Sequence, residues 1–305
     1  MPEPIVQTEA SSKIGDVEFI WAKTSKEFLF ANSIYIQGDP SIIVDPSANF
    51  TYIERLATQH ACKMVLNTHY HGDHRSLNGL FKNVIFAAHE LDAPAIRDYK
   101  TYENYADNDP NSVYTAWRKQ VFYEYHIIDC PVSKLYKGNE TIDTGTTQIQ
   151  LIHTPGHTPG HMCLYFKNIK TLYLSDIDLT PYGPWYANLV SNMDDFIASV
   201  EKIKNFKADY YVSSHGERIY TPEKFQEKID RFYAHFKERD ERILECLKTG
   251  PQDLMHIASQ GIVYRKMALA DPLKAYFQWQ MVKKHMTRLE KLGLITKDGD
   301  MYRLV

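Results

Sequence analysis

Cysteine is scarce in this chain of 305 residues. Only Cys62, Cys130, Cys163 and Cys246 occur, and no two of them form a CxxC pair. That scarcity excludes a disulfide framework and a thiolate zinc site, leaving four small buried hydrophobes. Long apolar runs are missing too. None approaches the ~20 residues of a transmembrane helix, so no membrane partner is expected. The N-terminal MPEPIVQTEA has neither a basic start nor an apolar core, so no secretory signal and a cytoplasmic setting are expected. Nor does one sign of charge dominate. Lys plus Arg is 35 and Asp plus Glu is 38, and the net charge of −3 gives no general attraction for nucleic acid. What is plentiful is apolar surface (44% of residues), tyrosine (21) and histidine (13). The first suffices for a sizeable core, in one large domain or two.

The first half alternates short β-rich runs with helical patterns. Expected strands are Val17–Trp21, Ser33–Gln37, Ser41–Asp45, Met64–Thr68 and Val84–Ala88, with a helix over Tyr52–Ala61. A tyrosine-rich helical stretch follows at about 91–125. Strands resume at Gln148–His153, Met162–Phe166, Thr171–Ser175 and Tyr210–Ser213, with a helix capped by Asn192 before the last. Thr221-Pro222 opens a charged helix to about Leu247, and Thr249-Gly250-Pro251 breaks the chain. Residues 248–305 read as a separate unit: two helices, then strands flanking the turn Asp298-Gly299. The expected division is 1–221, 222–247 and 248–305.

One stretch carries chemistry. Directly after a strand, His69, His71, Asp73 and His74 are spaced HxHxDH, and a loop can fan four such side chains to one side. Three later features join them. His157 lies in the turn-rich TPGHTPGH that ends at His161. Asp176 ends the strand TLYLS. His215 follows the strand at Tyr210–Ser213. All sit just past strand C-termini, where loops meet at one edge of a layered α/β fold. The set offers five imidazoles and two carboxylates without thiolate. Such a set suits Zn²⁺, and Fe²⁺ and Mn²⁺ are compatible.

HxHxDH, TPGH, a strand-end Asp and a strand-end His together resemble the metallo-β-lactamase fold superfamily over roughly residues 15–220. The glyoxalase II, lactonase and small ribonuclease branches are the most similar. The resemblance implies a four-layer αββα sandwich with a binuclear metal site, and a small winged-helix-like C-terminal domain. It places His69, His71 and His157 on a first divalent metal ion, Asp73, His74 and His215 on a second, and Asp176 between them. Two such ions ~3.5–4 Å apart share a water and bring its pKa toward ~7, so that hydroxide attacks a carbonyl or phosphoryl centre. Asp73 would also orient that nucleophile or relay its proton. Asp45 matches a position that supports the metal loop; Asp178 and His161 are further supporting candidates. In the aromatic loop after Asp176, Tyr182, Trp185 and Tyr186 are candidates for substrate contact. His89 and His153 read as packing or surface residues.

The expected function is therefore hydrolysis of a small ester, thioester or lactone. The alternative is phosphodiester or RNA cleavage. For it, residues 248–305 hold ten Lys or Arg against five Asp or Glu, and Lys284, Arg288 and Lys291 share a helical face. A mononuclear-iron persulfide dioxygenase and a non-catalytic sensor are further readings. The four cysteines fall outside the motifs, unlike thiol-bearing β-lactamases. His71 stands where flavodiiron proteins carry Glu. The 39 residues from Asp176 to His215 are too few for the cap of the large nucleases. The tyrosine-rich stretch is expected to roof the pocket or to form a homodimer face.

Overall fold

The computed structural model describes residues 3–22, 30–215 and 219–305; Gly216, which follows His215 in the expected site loop, lies outside them. Its frame is two β-sheets packed face to face. Among the described residues, the first takes eight strands in chain order. These are β1 (Ile5–Gln7), β2 (Ser11–Ile14), β3 (Val17–Ile20), β4 (Ser33–Ile36), β5 (Ile42–Val44), β6 (Met64–Asn67), β7 (Ile85–His89) and β8 (Val132–Tyr136). β1 to β5 pair antiparallel and β5 to β8 parallel. The second sheet contains β9 (Thr141–Asp143), β10 (Gln148–His153), β11 (Met162–Phe166), β12 (Thr171–Tyr173), β13 (Tyr210–Val212) and β14 (Ile219–Tyr220). Their order is again sequential, with β12 and β13 parallel.

Alternation of side chains explains why apolar runs such as Ile42-Ile43-Val44 form interior strands buried on both faces. Ile42 and Val44, with Met64 and Leu66, meet Leu151, Leu164 and Tyr173 between the sheets. Ile43 and Val65 point the other way, onto helices α1 (Phe50–Thr58), α3 (Ala93–Arg97), α4 (Tyr99–Ala106) and α5 (Val113–Glu124). A one-turn helix, α2 (Gly72–Arg75), lies between β6 and β7. Beyond the second sheet, Leu172, Leu174 and Tyr211 pack under α6 (Met193–Lys204) and α7 (Pro222–Leu247). The result is four layers, αββα. Residues near the C-terminus add β15 (Gln252–Asp253), α8 (Leu254–Ser259), α9 (Pro272–Lys291), β16 (Ile295–Asp298) and β17 (Met301–Leu304). The last strands form a three-stranded sheet over a small core of Ile257, Val282, Met286 and Leu289.

The expected strands are present, most of them shorter at one end. β1, β2, β8, β9, β14 and β15 are additional to them. The tyrosine-rich stretch forms three short helices. Helix α7 spans the expected residues, and its Pro222 occupies the first turn after the Thr221 cap. All four cysteines are free, and Cys246 alone is incompletely buried. No described helix is long and apolar enough to cross a membrane.

Candidate metal centre

Five strand ends converge at one edge of the sandwich. β5 delivers Asp45, β6 leads to His69 and His71, and α2 carries Asp73 and His74. The β10–β11 loop carries His157; Asp176 and His215 follow β12 and β13. Local chemistry fixes each turn. Asp45 sits at φ 46, a left-handed conformation that Asp tolerates better than most residues. Its carboxylate accepts from the Thr68 backbone N–H at 2.8 Å and the Thr68 hydroxyl at 2.6 Å, pinning the start of the histidine loop. In the β10–β11 loop Gly156 has φ +127, and a Cβ there would lie 2.2 Å from the Phe196 nitrogen. Only glycine fits so close to α6.

The seven expected residues come together as two groups, His69, His71, His157 and Asp176, and Asp73, His74 and His215. Within each, the ligand-type atoms lie within 4.8 Å of one another. Asp176 faces both. Its Oδ2 is 3.1 Å from His157 Nε2 and 3.7 Å from His69 Nε2. Its Oδ1 is 2.9 Å from His74 Nε2 and 3.6 Å from His215 Nε2. Asp73 lies 3.3 Å from His215. Nε2 of His69 and of His74 are buried without a hydrogen-bond partner, the short His74–Asp176 approach lacking hydrogen-bond direction. Buried nitrogens left unpaired beside two carboxylates fit a site that holds cations. The surrounding groups aim the rings. His74 Nδ1 is 2.9 Å from Asp45, and His157 Nδ1 donates to the Trp185 carbonyl at 2.9 Å. Such contacts fix the orientation of a ligand-type ring.

Burial, then neighbouring imidazoles, keep His69 well below the usual histidine range and His71 at about 3. Both are neutral, as ligands must be. Burial opposes ionisation of Asp176, yet the surrounding imidazoles, His74 foremost, hold its carboxyl well below the usual range. Burial likewise opposes a charge on His74, and Asp176, Asp45 and Asp73 overcome it, raising that ring well above its ordinary value.

The other expected residues divide. His161 is buried; its Nε2 accepts from the Asp176 backbone N–H at 3.0 Å, so it props the residue between the two groups. Asp178 accepts from the Thr180 N–H and hydroxyl and touches none of the seven side chains in a described hydrogen bond. The Trp185 ring lies 5.7 Å from His71 and 5.8 Å from His157, forming a wall of the site. Tyr186 is elsewhere: it is buried, and its hydroxyl meets His285 at 2.7 Å and Arg239 at 2.9 Å. The Tyr182 ring is largely exposed. His89 and His153 stack on each other, as packing residues. The three cations proposed for a phosphate track on α9 are already engaged, although Lys291 is exposed. Lys284 donates to the Leu189 and Ser191 carbonyls, Arg288 pairs with Asp240 and Asp194, and Lys291 with Asp194.

Two site-forming residues had escaped the sequence reading. Asp92, just past β7, accepts from the Tyr70 N–H, the Thr158 hydroxyl and the Gly160 N–H, tying the HxHxDH loop to TPGHTPGH. Its strand-end position was the same signal that marked Asp176. Asn188 lies 2.5 Å from His71 Nε2, donates to the Tyr70 hydroxyl and accepts from the Tyr114 hydroxyl. Nothing in its local sequence points to it.

A family model described as the metallo-beta-lactamase superfamily matches residues 27–215. The beta-lactamase-like protein 2 homolog of Caenorhabditis elegans is 27% identical over 218 residues, 69% of this chain and 63% of that protein. Acyl-coenzyme A thioesterase MBLAC2 of Bos taurus is 26% identical over 156 residues, 47% of this chain and 51% of that protein. The chain thus spans about half to three fifths of these relatives' length. A metallo-beta-lactamase family protein from Thermus thermophilus superposes with a TM-score of 0.71 at 19% identity, covering 95% of this chain and 99% of that one. A beta-lactamase domain protein from Burkholderia ambifaria gives 0.73 at 15% identity, covering 100% and 97%.

Proposed function

The chain belongs to the metallo-beta-lactamase superfamily, and from that premise we propose that it is a binuclear metal-dependent hydrolase of small esters, thioesters or lactones. The observation that carries the reading is the division of seven side chains into two groups that meet at Asp176. His69, His71 and His157 would hold one divalent ion, Asp73, His74 and His215 the other, with Asp176 shared; the thiolate-free donor set suits Zn²⁺. When bound, the two ions supply Lewis-acid polarisation of a scissile carbonyl and acidification of a water molecule. The residues do the rest. Asp45, Asn188 and the Trp185 carbonyl keep three imidazoles aimed. Ser214 donates to Asp176 Oδ1 at 2.5 Å and steadies it. Asp73 retains 20% exposure at the edge of the cluster and is placed to orient the nucleophile or take its proton at Oδ2.

Among the bond classes, thioesters are favoured by the relatives named acyl-coenzyme A thioesterases. The phosphodiester reading is less favoured, since Lys284, Arg288 and Lys291 are already engaged with carbonyls or carboxylates. Residues 248–305 follow the helix–helix–hairpin order of a winged-helix-like unit, joined to the catalytic domain 1–221 through 222–247. The test is metal analysis of anaerobically purified protein together with turnover of a thioester, a lactone, bis(p-nitrophenyl) phosphate and single-stranded RNA, with and without chelator. Two metal equivalents and chelator-sensitive ester or thioester cleavage are expected. One iron per chain, or no turnover by metal-loaded protein, would sink the proposal. His71→Ala and Asp176→Asn should each lose metal and at least about 100-fold of activity. Full metal content in either variant contradicts the ligand assignment.

A further inference from the structure

Beside His71 a circuit of contacts closes on itself. The Trp185 ring packs on His71, Phe277 of α9 lies edge-on to Trp185 at 5.2 Å, and Tyr114 of α5 lies edge-on to Phe277 at 4.9 Å. The Tyr114 hydroxyl donates to Asn188 at 2.9 Å, and Asn188 returns to His71. Trp185 and Phe277 are partly exposed, as are Asp73 and Asp176, so this wall adjoins the accessible side of the cluster. Its polar tips are already engaged. Tyr114 gives its hydroxyl to Asn188, and the neighbouring Tyr276 hydroxyl accepts from Gln280 at 2.7 Å. Lys284, further along α9, donates to backbone carbonyls. What remains on offer is ring face and ring edge.

We propose that Phe277 and Trp185, backed by the buried Tyr114, form an aromatic wall that receives the apolar acyl group of the substrate, so that the C-terminal unit sets which acyl groups are accepted. This rests on the hydrolase reading and goes beyond it, because it names the substrate class and assigns a specificity residue outside the catalytic domain. A wall of rings rewards contact with methylene groups, and each methylene gained or lost in such a pocket changes specificity by about tenfold or more. It offers no cation to pair with a phosphate.

The experiment uses full-length, metal-loaded protein on acetyl-, octanoyl- and palmitoyl-coenzyme A. Phe277→Ala should lower kcat/KM for the longer acyl groups relative to acetyl by about tenfold. Phe277→Trp, which adds ring volume, should move the preference toward acetyl by narrowing the space. Met267→Ala, at an exposed residue of the same unit, should leave the ratio where it is. Calorimetric titration with octanoate reads the wall without turnover, and Phe277→Ala should weaken it by a similar factor. Equal losses on every substrate, with unchanged octanoate binding, would mean that Phe277 only packs, and would overturn the inference. Wild-type turnover with a ratio that neither Phe277 variant moves overturns this inference alone. No thioester turnover by protein that holds its metal overturns the hydrolase reading and this inference with it.

Discussion

Asp45 touches no candidate substrate position, yet it has one of the most constrained roles in the site. It is fully buried, left-handed and in contact with Thr68 twice and His74 once. Asp45→Asn replaces one acceptor oxygen by a donor, so one of those contacts must fail. Metal affinity should fall roughly 10–100-fold, read by chelator competition, while the fold persists. Asn188→Ala should act in the same direction through His71. The two residues differ in how legible they were. Asp45 ends an apolar strand, and the strand ends are where this architecture gathers its chemistry, so spacing and periodicity led to it. Asn188 owes its role to Tyr114, which lies 74 positions away on a separate helix. No local pattern encodes such a meeting.

At the scale of elements, the segment from Tyr182 to Ser191 carries both Trp185 and Asn188 and has no regular secondary structure. Its shape is imposed from outside. Buried Arg239 on α7 donates to the carbonyls of Pro184 and Tyr182, each at 2.7 Å, and Lys284 on α9 donates to those of Leu189 and Ser191. Arg239→Met leaves two carbonyls unmet, at a cost of about 1–3 kcal/mol each, so the melting temperature and metal retention should both drop. Lys284 adds a pH signature. Burial, then Lys283, bring it from 10.5 down to about 8. Between these values the unfolded chain holds the proton and the folded chain does not, so this group's contribution to stability rises with pH across that window. The difference in denaturant unfolding between wild type and Lys284→Met should therefore change between pH 8 and 10; an unchanged difference would show that Lys284 does not titrate there. The span of α7 was legible because its Thr221-Pro222 start is a local signal. The ion pairs of the basic face of α9 were not legible, because its partners, Asp194 and Asp240, stand far away in the chain.

For the whole molecule, cations would act as a fastener between layers. Ligand binding to the folded state alone raises stability by mass action, by about 2.7 kcal/mol at a hundredfold excess over the dissociation constant. Chelation should lower the melting temperature of the wild type, and of Asp176→Asn much less. The order of the strands carries a consequence for synthesis. Because each sheet takes its strands in chain order, the first is complete at Tyr136 and the second is built from residues that emerge later. His69, His71, Asp73 and His74 belong to the early half; His157, Asp176 and His215 belong to the late one. Each of the two groups draws on both. A nascent chain therefore carries an incomplete donor set until His157 and Asp176 leave the ribosome, and the second group waits for His215. Metal acquisition becomes a timed event, placed after most of the sandwich has been translated.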